Sequence, residues 1–137
     1  MRWAGRRATG PPGRGTIDHV FAWPGPAHGR GERAWFRRRF AGLEVPKRYQ
    51  TETDPDADFN GAAADPAAVE EAWAAWRGEV AFAEQFTRDH DLDFLGRDSE
   101  GEQVSLRELL VHMIEEYARH NGHADLLRER IDGRVGQ

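Results

Sequence analysis

Residues 104–133 read VSLRELLVHMIEEYARHNGHADLLRERIDG and form the longest stretch of helical periodicity in this chain. Apolar side chains recur there at every third or fourth position, which predicts an amphipathic helix about seven turns long. Ser105 and Glu108 have the spacing of a capping box at its start, and Gly133 suits its end. The buried stripe is predicted to consist of Leu106, Leu110, Met113, Tyr117, Ala124, Leu127 and Ile131.

Two further helical segments precede this one. The first runs from Glu32 to about Ala41 and contains ERAWFRRRF. Gly42 follows and is the predicted C-terminal cap. The second starts at Asp65, a capping acid followed by a proline in the first turn, and fades near His90.

The segments between these helices are polar. Residues 46–64 and 91–104 contain glycine, aspartate or proline and predict loops, and no strand pattern competes with the helices. The predicted fold class is therefore all-α, most simply an up-down helical bundle.

Composition limits the function classes. The net charge of -5 argues against a general nucleic-acid binder, and no apolar run reaches the roughly 20 residues that a membrane helix needs. The chain has no cysteine, hence neither a disulfide framework nor a thiolate ligand of its own. These features predict a cytoplasmic protein.

The last helix carries the candidate chemistry. His112, Glu116 and His120 are spaced four residues apart, and His123 lies one turn further, so all four lie beside the apolar stripe. A carboxylate and an imidazole one turn apart can close on one metal ion, and this pair suits zinc as well as iron, nickel or copper. The same spacing is also common in solvated surface pairs.

Residues 104–133 resemble the last helix of an actinobacterial branch of the DinB/YfiT-like superfamily, a branch of unknown function. The segments ERAWFRRRFAG and DPDADF are similar to that branch too, so the resemblance covers residues 32–137. It implies a four-helix bundle with a divalent metal, related to mycothiol-dependent maleylpyruvate isomerase.

The resemblance also implies a metal site. In that relative, the ligands are one histidine from the second helix and a Glu-x-x-x-His pair from the last helix. The pair corresponds to Glu116 and His120, whereas no ligand role is carried onto His112 or His123. Three protein ligands would leave a position open for water or a small thiol such as mycothiol, whose pKa the metal would lower.

The first 31 residues depart from the family pattern. They contain five arginines, seven of the fifteen glycines and a single acid, Asp18, and they lack helical or strand periodicity. We expect an irregular segment, either a basic disordered tail or out-of-frame translation. The shifted frame of residues 17–31 permits, among other strings, the opening of the family's second helix with its metal histidine.

The expected helical domain therefore spans residues 32–137 and is incomplete at its N-terminus. His28 falls close to the place of the missing ligand, but Pro26, Gly29 and Gly31 disfavour a helix there, so no role is assigned to it. Without a first helix, an apolar face is expected to stay uncovered, which favours aggregation or a homodimer.

The resulting hypothesis is a divalent-metal-binding protein, with zinc as the leading metal, that acts as a thiol-dependent (mycothiol-type) transferase or isomerase. The alternatives are a non-catalytic metal-binding or helical interaction module and a non-functional truncated product. Neither nucleic acid nor a membrane is an expected partner.

Overall fold

The computed structural model describes residues 29–48, 50–54 and 65–136. This part of the chain is mostly helical, which confirms the predicted fold class. It contains three helices and a short hairpin, and residues 1–28 lie outside it. In chain order the elements are α1 (Arg33–Phe40), α2 (Pro66–Asp89), β1 (Leu95–Arg97), β2 (Gln103–Ser105) and α3 (Leu106–Asp132).

Helix α1 has an unusual backbone. Residues 29–32 are α-helical, and Arg33–Phe40 continue as a π-helix, in which each amide bonds a carbonyl five residues back. The last such bond joins the Ala41 amide to the Phe36 carbonyl oxygen at 2.9 Å. Gly42 then takes a φ of 65°, the left-handed conformation that ends helices and favours glycine.

The helix at residues 29–31 differs from the irregular segment expected there. Gly29 is buried, and a Cβ at this position would lie 3.6 Å from the Cα of Trp76 on α2. Residue 29 therefore packs against α2 at ordinary contact distance, and this tertiary packing offsets the low helix propensity of glycine.

Helices α2 and α3 begin and end where their caps predict. The Asp65 side chain accepts a hydrogen bond from the Ala67 amide at 3.1 Å. The Ser105 hydroxyl accepts one from the Glu108 amide at 3.3 Å, and the Glu108 carboxylate accepts from the Ser105 amide at 2.9 Å. Both bonds of the predicted capping box are therefore present.

A short antiparallel hairpin occupies part of the segment predicted to be a loop. Strands β1 and β2 pair Leu95 with Ser105 and Gly96 with Val104. The Asp98 carboxylate holds the turn by accepting hydrogen bonds from two backbone amides, at 2.8 and 2.9 Å. Three residues per strand are too few to produce a visible alternation in the sequence, which is why this prediction was wrong.

The core lies where α1, α2, the hairpin and the first half of α3 meet. Phe86 of α2 is at its centre, with ring centroids 6.3 Å from both Phe36 and Phe40 and 5.6 Å from Phe94. Leu106 and Leu109 of α3 are fully buried against this cluster. The N-terminal half of α3 is thus anchored in the core.

The second half of α3 is exposed on its apolar side. Leu126 and Leu127 are 63% and 51% exposed, whereas Met113 in the first half of the helix is only 9% exposed. The uncovered apolar surface of α3 therefore lies toward its C-terminal end, and the homodimer stays a prediction. None of the helices in the described ranges has the length and apolarity to span a membrane.

Candidate functional site

An open cavity of about 950 Å³ lies between α1, the segment that follows it, the hairpin turn and α3. Helix α1 contributes Trp35, Arg38 and Arg39, and the hairpin turn contributes Asp98. Helix α3 contributes His112 and Glu116. Two of the histidine and glutamate positions singled out from the sequence thus line one cavity.

Trp35 forms an aromatic wall of this cavity. The ring of His112 meets it edge-on at a centroid distance of 5.1 Å. The guanidinium carbon of Arg39 lies 4.2 Å from the Trp35 ring centroid, a cation–π contact. Partial burial lowers the pKa of Arg39 from its ordinary value, although the nearby Asp98 carboxylate opposes that effect.

Glu116 and His120 lie together, as their spacing requires. The Glu116 Oε2 and His120 Nε2 atoms are 3.4 Å apart, and both side chains are partly exposed. The other carboxylate oxygen, Oε1, lies 3.2 Å from an NH1 nitrogen of Arg119. The pair is therefore close enough to share a bound ion, with an exposed arginine as a competitor for the carboxylate.

This separation fits a metal-binding pair. Two ligands of a tetrahedral ion with bonds of about 2.0–2.1 Å lie roughly 3.3–3.4 Å apart, and imidazole and carboxylate are common zinc ligands. Within residues 29–48, 50–54 and 65–136, however, no group of three or more metal-ligating side chains occurs. The chemistry and spacing of Glu116 and His120 thus fit two ligands of the expected three, and His28, near the expected third, lies outside the described residues.

The other two histidines of the strip have different surroundings. His112 packs against Trp35 in the cavity wall. His123 is exposed, with its ring centroid 6.4 Å from that of His120. Neither position alters the sequence interpretation, which gave them no ligand role.

A buried polar cluster joins α1 to the other helices, and sequence analysis did not identify it. Glu32 is only 3% exposed, and its Oε1 atom accepts a hydrogen bond from the Tyr117 hydroxyl. Trp76 Nε1 donates to the same hydroxyl at 2.9 Å. Burial raises the pKa of Glu32, and burial together with the glutamate contact raises the pKa of Tyr117.

The second carboxylate oxygen of Glu32, Oε2, is buried without a hydrogen-bond partner in the described part of the chain. A protonated carboxyl would reduce the cost of burying this group. The sequence places Tyr117 in the apolar stripe of the last helix. A buried tyrosine hydroxyl usually needs a hydrogen-bond partner, so this residue alone indicated that a polar side chain packs against the stripe.

A second buried acid, Glu79 of α2, lies against α1. Its carboxylate binds Arg33 NH1 at 2.8 Å and Arg37 Nε at 2.5 Å. The three consecutive arginines at 37–39 differ in their surroundings, because Arg37 pairs with this acid, Arg39 lies over Trp35 and Arg38 is exposed. These differences depend on contacts with distant residues, which the sequence pattern does not reveal.

Comparison with known proteins gives one match. The model of the mycothiol-S-transferase family matches residues 29–133, which include the cavity and all three helices described above. The comparisons with curated proteins and with solved structures each gave no match. The family match covers well over half of the chain and agrees with the resemblance to DinB/YfiT-like proteins. The chain therefore belongs to the mycothiol-S-transferase family.

Proposed function

We propose that this chain is a thiol-dependent transferase or isomerase of the mycothiol type. The cavity beside Trp35 would be its reaction site. The observation that carries the proposal is the position of Glu116. This residue lines the cavity, and its carboxylate lies 3.4 Å from the His120 imidazole. Membership of the family supports a thiol as one substrate.

Glu116 and His120 would hold a divalent metal, with zinc as the leading candidate. When bound, the metal would keep the substrate thiol deprotonated at neutral pH. Trp35 and His112 supply an aromatic wall, against which a bound substrate would lose part of its hydration. Arg39, held over Trp35, places a positive charge beside this wall and would favour a negatively charged sulfur.

A non-catalytic metal-binding or helical interaction module is the second candidate. It is favoured by the lack of a third ligand within the described residues. Metal content separates a metal protein of either kind from a purely helical module. Thiol-dependent turnover then separates catalysis from metal binding alone.

The ligand assignment is tested by zinc titration against a competing chelator, followed by elemental analysis. We expect Glu116→Ala and His120→Ala each to weaken zinc binding by at least about tenfold, because each removes a ligand. Glu115→Ala is the matched control, since it removes an exposed carboxylate from the adjacent position of the same helix. Unchanged zinc affinity in both ligand variants would refute the assignment.

Catalysis is tested by following loss of free mycothiol in the presence of an electrophile. We expect turnover in the zinc-loaded protein and its loss in the two ligand variants. Zinc binding without thiol consumption would support the non-catalytic module instead.

A further inference from the structure

A cationic niche opens beside the cavity. It has a volume of about 30 Å³ and shares three basic residues with the cavity wall: Arg30, Arg38 and Lys47. Arg33 and Arg48 are also basic, and among residues 29–48, 50–54 and 65–136 no acidic side chain lines the niche. Its size is that of one or two water molecules, or of a single carboxylate.

Two of these cations lack a counter-charge within the part of the chain that the structure describes. Arg38 and Lys47 are exposed, and neither forms an ion pair or hydrogen bond within residues 29–48, 50–54 and 65–136. Arg33 differs, because its NH1 binds Glu79 and its Nε donates to the Pro46 carbonyl oxygen at 2.9 Å. The surplus positive charge is therefore concentrated on Arg38 and Lys47.

Most of the acidic side chains that line the larger cavity already interact with other groups. The Asp98 carboxylate accepts two backbone amides of the hairpin turn and lies near Arg39. Glu116 contacts Arg119 and His120. Glu44 remains as one exposed carboxylate in the cavity wall, and it does not line the niche.

We propose that this niche binds the carboxylate of an anionic substrate whose other end reaches Glu116 in the same cavity. The role of that molecule as the second substrate rests on the proposed function, whereas its binding does not. Guanidinium groups match a planar carboxylate with paired hydrogen bonds, and an ammonium adds a point charge beside them. The shared residues Arg38 and Lys47 place such a carboxylate at the boundary between niche and cavity.

Isothermal titration of the full chain with succinate tests the proposal, using succinamide as the neutral isostere and inorganic phosphate as a second anion. We expect succinate to bind and succinamide not to bind. Arg38→Gln and Lys47→Gln should each weaken succinate binding roughly tenfold, the effect of losing one charge-assisted contact. Arg130→Gln, which removes an exposed charge from the far end of α3, should leave binding unchanged.

Equal binding of succinate and succinamide, or binding unaffected in both niche variants, would overturn the proposal. Phosphate binding more tightly than succinate would also overturn it, because the niche would then select a different anion. The titration uses neither metal nor thiol, so its outcome is independent of whether Glu116 and His120 hold zinc. Circular dichroism of each variant verifies that the substitutions at these exposed positions leave the helices intact.

Discussion

Replacing Glu79 with glutamine should strongly destabilise the protein, because this acid neutralises two arginines inside the contact between α1 and α2. The side chain of Glu79 is 5% exposed, and those of Arg33 and Arg37 are 16% and 24% exposed. Glutamine keeps the shape and one acceptor oxygen but removes the negative charge. Both guanidinium groups would then be left partly buried without a counter-charge.

The expected loss of folding free energy in Glu79→Gln follows from the burial of these three side chains. Removing one partner of a buried ion pair costs about 3–5 kcal/mol, and the partial hydration of the two arginines places the expected loss near 3 kcal/mol. A domain of this size typically has only about 5–15 kcal/mol of folding free energy. For a domain of this size, a loss of about 3 kcal/mol corresponds to a fall in Tm of roughly 10 °C.

Urea unfolding followed by far-ultraviolet circular dichroism gives the free energy directly. Glu70→Gln is the matched control, because Glu70 also pairs with an arginine on α2 but is 74% exposed, so its loss should cost less than about 1 kcal/mol. If Glu79→Gln is no more destabilising than Glu70→Gln, the buried pair does not hold α1 against α2. A double-mutant cycle with Arg37→Gln isolates the coupling between the two side chains.

Four further substitutions test other parts of the structure. Gly96→Ala should lower the free energy of unfolding by about 1–3 kcal/mol, because the new Cβ would lie 2.5–2.7 Å from ring atoms of Phe40. Gly78→Ala has open space around it on α2, so the better helix propensity of alanine should raise the free energy of unfolding by about 0.5–1 kcal/mol. Ser105→Ala should cost about 1 kcal/mol through loss of the cap of α3. Burial raises the pKa of Glu32 above 4.5, so wild-type stability should fall as pH rises through that raised pKa, and Glu32→Gln should remove the fall.

Each of these predictions has a clear contrary result. Equal effects of the two alanine substitutions would mean that β1 does not lie against Phe40. A neutral Ser105→Ala would mean that the cap is not needed at the start of α3. A parallel pH profile for wild type and Glu32→Gln, in urea unfolding from below pH 4.5 upward, would mean that Glu32 is not buried in its neutral form.

The helix boundaries were predictable because local chemistry sets them. Asp65, Ser105 and Gly133 act on backbone groups within a few residues of themselves, so the sequence alone carries the signal. The adjacency of Glu116 and His120 follows from the same short-range geometry, while their role as ligands remains a prediction. Long-range contacts could not be predicted in this way.

Four features of the structure depend on long-range contacts. The partner of Arg37 is 42 residues away, and the partner of Glu32 is 85 residues away, so no periodicity could reveal either pair. The helix at Gly29 exists despite poor propensity because it packs on Trp76. The basic niche likewise appears only when Lys47 is brought beside Arg38 by the turn after α1.

Ser105 links β2 directly to α3, and this link influences the order of folding. Ser105 is both the last residue of the strand and the N-cap of the helix, and the amides of Leu106 and Arg107 bond the carbonyls of Phe94 and Leu92 at 2.8 and 2.9 Å. These contacts span at most 15 residues, so their loop-closure entropy is small. The hairpin and the start of α3 should therefore become structured together and early, and provide the surface on which the more distant α1 later docks.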